Sequence, residues 1–237
     1  MQENPDFRFK QFSLRHDKCA MKVGTDGILL GAWIAPTEQA SSCLDMGCGS
    51  GLIALMLAQR TAPHCRITAV EIDAAAMAQA QENFRHSPWS DKLRIYREDV
   101  LEFLTRSRQQ FDIIAANPPY FEAAISCSNP ARNQARYFAE QTHQDWLQNA
   151  AQCLSEQGQI HFILPFTAGK ILQQQTDLYC LRACEVITKQ GKPPHRLLLS
   201  FGRKKSPTEL SRLVIYNAEN QYTPDFIRLT RDFYLKF

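Results

Sequence analysis

A short apolar run that enters three alternate glycines and leaves as a helical pattern constrains this chain more than any other segment. Residues 43–58 read Cys-Leu-Asp-Met-Gly-Cys-Gly-Ser-Gly-Leu-Ile-Ala-Leu-Met-Leu-Ala. Glycines at 47, 49 and 51 let a backbone turn tightly and approach a ligand at a helix N-terminus. Leu52, Leu55, Met56 and Ala58 carry the apolar spacing of a helix. A dinucleotide fingerprint, G-x-G-x-x-G, would put its third glycine at 52, where Leu52 stands instead. The turn has no basic residue and is poorly suited to a diphosphate, which argues against NAD and ATP.

Strand, glycine turn and helix together read as the opening of a Rossmann-like α/β sheet, mostly parallel, with helices on both faces. Three further strand ends carry polar residues in order. Ile67-Thr-Ala-Val-Glu-Ile72 ends in Glu71, an acceptor suited to both hydroxyls of a ribose and repellent to a 2′-phosphate. Leu93 to Val100 ends in Asp99, suited to an adenine amino group. Phe111-Asp-Ile-Ile-Ala-Ala116 runs into Asn117-Pro118-Pro119-Tyr120. Two consecutive prolines stiffen that loop at a strand's carboxyl end, where open α/β sheets bind ligands. The Asn117 amide oxygen and the Pro118 carbonyl can accept the two protons of an exocyclic NH2, and the Tyr120 ring can stack on the base that bears it. Taken singly, each has a plainer reading: Glu71 as a solvated strand end, Asp99 as a helix cap, Asn-Pro as a turn starter. The ordered set is more specific, because it places all four at adjacent carboxyl ends of one parallel sheet.

That set resembles the class I S-adenosylmethionine-dependent methyltransferases that modify exocyclic or amide nitrogen. With the stretch from Phe7 to Trp33, which includes Lys22-Val-Gly-Thr-Asp-Gly27, and the tail from Phe226 to Tyr234, the chain resembles one bacterial family along essentially its whole length. These are the tRNA adenine-N6 methyltransferases that act on the adenosine beside the anticodon of valine tRNA. The resemblance implies S-adenosylmethionine as cofactor, with Asp45, Gly47, Gly49, Gly51, Glu71, Asp99, Val100 and Asn117 around it. It implies Asn117, Pro118 and Tyr120 as the catalytic loop and tRNA as the partner. The choice of tRNA rests on the resemblance alone.

A chain of 237 residues suits one α/β domain, here residues 1–237, with an N-terminal preamble (1–41) and a catalytic core (42–237). No apolar stretch of about 18 residues interrupts it, so no membrane span is expected. The N-terminus lacks the order of a signal peptide. Eight cysteines without a C-x-x-C read as reduced thiols of a cytoplasmic protein. Cys180 and Cys184 have no clustered His, so no metal site is expected, and nothing points beyond a monomer.

The preamble reads as a hairpin around Phe7 and Phe9 followed by a helix capped near Thr25 or Asp26. Residues 121–141 read as a loop over the active site. A helix at Asp145–Leu154, a strand at Gln159–Pro165 and a helix near Gly169–Leu178 follow. His195–Gly202 and Leu210–Asn217 read as a terminal antiparallel pair, and Thr223-Pro224-Asp225 starts a final helix.

Net charge is +3, but the cations are concentrated. Arg8, Lys10, Arg15, Lys18 and Lys22 form one group, and Lys189, Lys192, Arg196, Arg203, Lys204, Lys205 and Arg212 another. Such groups are often plain solvated surface; on a nearly neutral chain they also suit phosphate binding. Lys10, Lys22, Lys192, Arg196, Arg203 and Lys204 are the expected tRNA contacts. Three other functions share these motifs: glutamine methylation of a release factor, DNA adenine methylation, and an RNA-binding scaffold with a vestigial cofactor site. The intact motif set argues against the scaffold, and the chain length leaves little room for a DNA target-recognition region.

Overall fold

The computed structural model describes residues 6–19, 22–118 and 143–237. A small antiparallel hairpin, β1 (Asp6–Arg8) with β2 (Ser13–Arg15), precedes α1 (Thr25–Trp33). The core then alternates β3 (Ser42–Met46), α2 (Leu52–Arg60), β4 (Arg66–Glu71), α3 (Ala74–Arg85), β5 (Leu93–Arg97), α4 (Val100–Arg106) and β6 (Phe111–Ala116). Residues 143–152 are helical (α5) and lead into β7 (Leu154–Pro165), α6 (Phe166–Gln174), β8 (Tyr179–Lys189), β9 (Arg196–Gly202), β10 (Glu209–Tyr216) and α7 (Pro224–Thr230).

Eight strands form one sheet in the order β10-β8-β9-β7-β6-β3-β4-β5. β3 pairs in parallel with both β4 and β6, so chain direction through the sheet reverses beside it. The expected Rossmann-like sheet is therefore present, mostly parallel with antiparallel strands. The antiparallel pairing differs from the expectation: β9 runs against β7 and β8, whereas β10 lies parallel to β8 and does not touch β9. The strand at Tyr179–Lys189 was not foreseen, because Arg182 and Glu185 break its apolar pattern. Their charges are matched by neighbours. Arg182 lies 4.2 Å over the Trp33 ring and pairs with Glu209, and Glu185 pairs with Arg212 at 2.9 Å.

α2 is buried along Leu52–Ala58 because it lies between the sheet and α1. That approach needs bare backbone on α1. A Cβ at Gly27 would meet Leu52 Cδ2 at 2.9 Å, and one at Gly31 would meet Met56 Sδ at 2.6 Å. The close fit points the N-terminus of α1 toward the carboxyl edge of the sheet. α1 does not start with the side-chain cap expected at Thr25 or Asp26. Gly24 is the cap residue, and the Asp26 carboxylate instead accepts from Arg196 Nε at 2.8 Å. The last helix begins as expected, with Thr223 accepting from Phe226 N and Pro224 in the first turn.

At the amino edge, one carboxylate joins three strands. Asp112 Oδ2 accepts from Ser41 N (2.8 Å), Ser41 Oγ (2.9 Å) and Ser42 N (3.2 Å), and Oδ1 accepts from Ser155 Oγ (2.7 Å). Burial raises its pKa, but these donors outweigh burial and hold it below the usual carboxylate range. Asp112→Ala should cost at least about 2 kcal/mol at neutral pH, the scale of one lost bond to a charged group. The native pKa lies below the unfolded one, so this stability is present above about pH 4 and is lost on further acidification. Urea unfolding should show the deficit shrinking as the pH falls through that range.

Candidate active site

The glycine turn is held by the strand beside it. Cys48 N donates to Val70 O at 3.0 Å, and Gly49 N donates to Glu71 Oε2 at 2.8 Å. Gly51 N closes the turn on Cys48 O at 2.8 Å. Gly51 sits at φ 83°, and a Cβ there would fall 2.4 Å from the Phe84 ring, so neither conformation nor space admits another residue. Gly49, at φ 55°, would have no neighbour within 4 Å of a Cβ, so its backbone faces open space.

Glu71 is buried at the end of β4, and its other oxygen, Oε1, accepts from Asp73 N at 2.9 Å. Each carboxylate oxygen thus takes one backbone N–H and keeps a lone pair for a further donor. Asp45 is fully buried on β3. Its Oδ2 accepts from Ala54 N at 2.9 Å, while Oδ1 has no hydrogen-bond partner. Asp99 does cap α4, through Oδ1 to Leu101 N (2.8 Å) and Glu102 N (3.2 Å). The plainer reading of this residue is therefore realised, with both bonds on one oxygen. Val100 is the buried first residue of that helix. Ile72, directly after Glu71, is 62% exposed and offers an apolar face at the same strand ends. Sequence reasoning passed over it as a continuation of the strand's apolar run.

The electrostatics around the turn are acidic. Burial pushes the Cys19 thiol up to about 11, with Glu71 and Asp73 adding to the shift. The Cys48 thiol is raised by burial, Asp45 and Glu71. Asp45 itself is pushed up to about 7, first by burial and further by Glu71. Such surroundings disfavour a phosphate and favour a cation.

Asn117 follows β6 directly. Its Oδ1 is buried and has no hydrogen-bond partner among the described residues, and Pro118 after it is buried. Pro119, Tyr120 and the loop at 121–141 lie outside the described residues. Asn117 also lines a cleft of about 370 Å3 with Lys22, Thr25, Asp26, His195, Arg196, Tyr216, Tyr222 and Tyr234. The cleft extends along the carboxyl ends of β8 and β10, on the opposite side of Asn117 from the glycine turn. Sequence reasoning assigned none of the three tyrosines a site role and read Asp26 only as a candidate helix cap. No local motif marks the tyrosines, and only the fold brings them near Asn117.

The expected RNA-contacting cations are not one group. β9 is antiparallel, so its start lies at the carboxyl edge, with Arg196 opposite Pro165, and its end at the other edge, with Phe201 opposite Ile160. Lys22 and Lys192 are exposed at the site edge. Arg203 and Lys204 fall at the far edge, roughly 20 Å away at 3.3 Å per residue. There Arg203 donates to the Ala151 and Leu154 carbonyls, and Lys204 pairs with Glu156 at 3.3 Å. Arg196 is buried, bonded to Asp26 and at 2.6 Å to His195 Nε2. Lys10 Nζ donates to the Arg231 and Phe237 carbonyls and ties the hairpin to the chain's end. Arg196, Arg203 and Lys10 thus have structural partners that the charge pattern did not reveal.

The raised pKa of Asp45 couples stability to pH. Between about 4 and 7 the native protein holds a proton that the unfolded chain has lost, so this residue makes stability fall as pH rises through that window. Asp45→Asn should therefore raise Tm, relative to the parent protein, more at about pH 8 than at about pH 5. Equal shifts at both values by calorimetry would mean that Asp45 titrates normally.

Likeness to known proteins places the chain in a family. The methyltransferase small domain family model matches residues 26–192. The tRNA1(Val) (adenine(37)-N6)-methyltransferase of Mannheimia succiniciproducens is 57% identical over 98% of this chain and 95% of its own. The protein of that name from Histophilus somni is 52% identical over the full length of both. A predicted O-methyltransferase from Agrobacterium tumefaciens superposes with a TM-score of 0.68 at 17% identity, covering 88% of this chain and 96% of that one. TrmN from Thermus thermophilus gives 0.54 at 20% identity, over 70% and 44% respectively. These last two likenesses are of fold. By its sequence relatives and its family model, the chain belongs to the tRNA1(Val) (adenine(37)-N6)-methyltransferase family of methyltransferases.

Proposed function

We propose that this protein transfers a methyl group from S-adenosylmethionine to the exocyclic N6 of an adenosine in the anticodon loop of valine tRNA. The observation that carries the reading is the buried, unpartnered Oδ1 of Asn117 between the acidic glycine turn and the cleft. An acceptor left unpaired in the interior is costly, and an amino group presented there would satisfy it. The residues around the turn fit the cofactor. Glu71 retains acceptor capacity for ribose hydroxyls, Gly49 leaves backbone open, Ile72 offers an apolar face, and Asp45 with Glu71 favours a cation. Asp99, Gly47, Gly51 and Val100 complete the expected contacts.

S-adenosylmethionine supplies an electrophilic methyl on a positively charged sulfur. The chain's part is positioning. The lone pair of adenine N6 is delocalised into the ring, so the nitrogen is a poor nucleophile. When Asn117 Oδ1 and the Pro118 carbonyl accept its two hydrogens, the nitrogen is turned so that its lone pair faces the methyl. Tyr120, as read from the sequence, stacks on the base. The nitrogen becomes acidic as it gains positive charge, and its proton passes to solvent water without needing a strong base. Pre-alignment of this kind supplies most of such a rate enhancement. The base must first be turned out of the loop, at a cost of a few kcal/mol.

Asn117→Ala should leave the fold and most cofactor affinity intact while slowing single-turnover methyl transfer about a hundredfold or more, the scale of removing one transition-state hydrogen bond. Mass spectrometry of nucleosides from treated valine tRNA reads the product. Near-normal turnover would make the loop structural.

The split of the cations gives a second test. Lys22→Glu with Lys192→Glu, at the site edge, should weaken tRNA binding and flatten its log-log salt dependence by about one unit for each phosphate no longer neutralised. Lys204→Glu with Lys205→Glu, at the far edge, should do far less. Binding insensitive to salt would favour a protein substrate such as a release-factor glutamine.

A further inference from the structure

The cleft beside Asn117 reaches well beyond that residue, to the end of β10. At about 370 Å3 it lies within the roughly 300–1,000 Å3 of sites that enclose a whole small ligand. Its far wall is Tyr216, at the end of β10, and Tyr222, in the turn before α7. Sheet order puts four strand spacings between the ends of β6 and β10, roughly 19 Å at 4.8 Å each. A base whose amino group is held at Asn117 cannot also rest on that wall.

The wall is built of stacked rings. Tyr222 is held between Tyr216 and Phe226, with centroids 4.8 and 4.7 Å apart, and its hydroxyl accepts from Tyr216 at 3.3 Å. Both faces of Tyr222 are thus covered and its 37% exposure is at the edge, whereas Tyr216 has one ring neighbour among the described residues and keeps its other face. The rim is cationic. Lys22 lines the cleft and, among the described residues, bonds only the His16 and Asp17 carbonyls, at 3.3 Å. Lys189, at the end of β8, bonds the neutral Asn220 side chain at 2.7 Å. Asp26, the one acid among the described residues of the lining, is matched by Arg196. Aromatic rings beside unneutralised lysines are the chemistry that holds single-stranded nucleic acid, with stacking for bases and charge for phosphates.

We propose that this cleft is a second nucleotide site, which takes the RNA residue adjoining the target adenosine: base on the ring of Tyr216, which Tyr222 and Phe226 back, and phosphate toward Lys22 and Lys189. The inference rests on the proposed function, in which Asn117 receives the target base. The site grips a neighbour and so adds to RNA affinity.

The test uses the full-length protein and anticodon-loop hairpins carrying either a normal residue or an abasic one on each side of the target adenosine. With the parent protein, removing the flanking base on one side should weaken binding, read by fluorescence anisotropy, roughly tenfold or more. Tyr216→Leu should show a similar loss with the normal hairpin and no further loss with the abasic one. Its KM should rise while kcat at saturating RNA stays near the parent value. Equal losses for both hairpins in Tyr216→Leu, or no effect of either abasic position, would overturn the site. Should Tyr216→Leu not fold, 4-thiouridine beside the target adenosine decides it: photocrosslinks within residues 213–226 support the proposal, and crosslinks only elsewhere refute it. Failure of the proposed function reads differently, since the parent protein would then neither bind nor methylate any hairpin, and both inferences would fall together.

Discussion

Gly49 gives its amide hydrogen to Glu71 across the carboxyl ends of β3 and β4, and much of the site depends on that one bond. It fixes the glycine turn against the neighbouring strand, orients a buried carboxylate and leaves that carboxylate able to accept again. The bond exists because β3 and β4 run parallel in a register that pairs Met46 with Val70, one residue before Glu71. Parallel pairing in turn requires the crossover helix α2, whose entry needs the left-handed backbone of Gly51. Turn, helix and acid form one mechanical unit rather than three separate contacts.

The second constraint is the reversal of strand order beside β3. From there the chain builds outward through β4 and β5 on one side and through β6 and β7 on the other. The glycine turn, Glu71 and Asp99 end up on one side of the reversal, and Asn117 with the cleft on the other. Open α/β sheets bind ligands at such a point because the diverging crossovers leave a crevice there. The acidity of the first side, visible in the raised thiols of Cys19 and Cys48, and the lysine rim of the second suit two ligands of opposite charge. A cationic cofactor and a polyanionic substrate can thus approach the same edge without competing.

The antiparallel insertion of β9 determines what faces the second ligand. It returns the chain to the carboxyl edge at His195 and Arg196 and sends Arg203 and Lys204 to the other side. The Asp26–Arg196 pair then joins α1 to that edge. A half-buried pair of this kind adds little net stability for its desolvation cost, and its clearer effect here is placement. It holds the start of α1, and with it Lys22, beside the cleft.

Much of the site was legible in the sequence, for a physical reason: each of its parts is a local transition from strand to loop. Glycine spacing at 47, 49 and 51, an acid at 71 and Asn-Pro-Pro at 117 are constraints felt within a few residues, and parallel strands necessarily bring such ends together. The fold class followed from the same pattern. Long-range pairing was not legible. Tyr179–Lys189 hid its strand because Arg182 and Glu185 find partners only across strands and under Trp33. The mistaken pairing of β9 with β10 followed from that omission. The cation groups misled in the same way, since a run of charges carries no mark of which member will be buried by Asp26, tied to backbone carbonyls or turned to the far edge. Local backbone chemistry determined the glycine turn and the Asn-Pro start of the loop after β6. Sheet order and strand direction, which depend on partners as far as 70 residues away, decided what surrounds them.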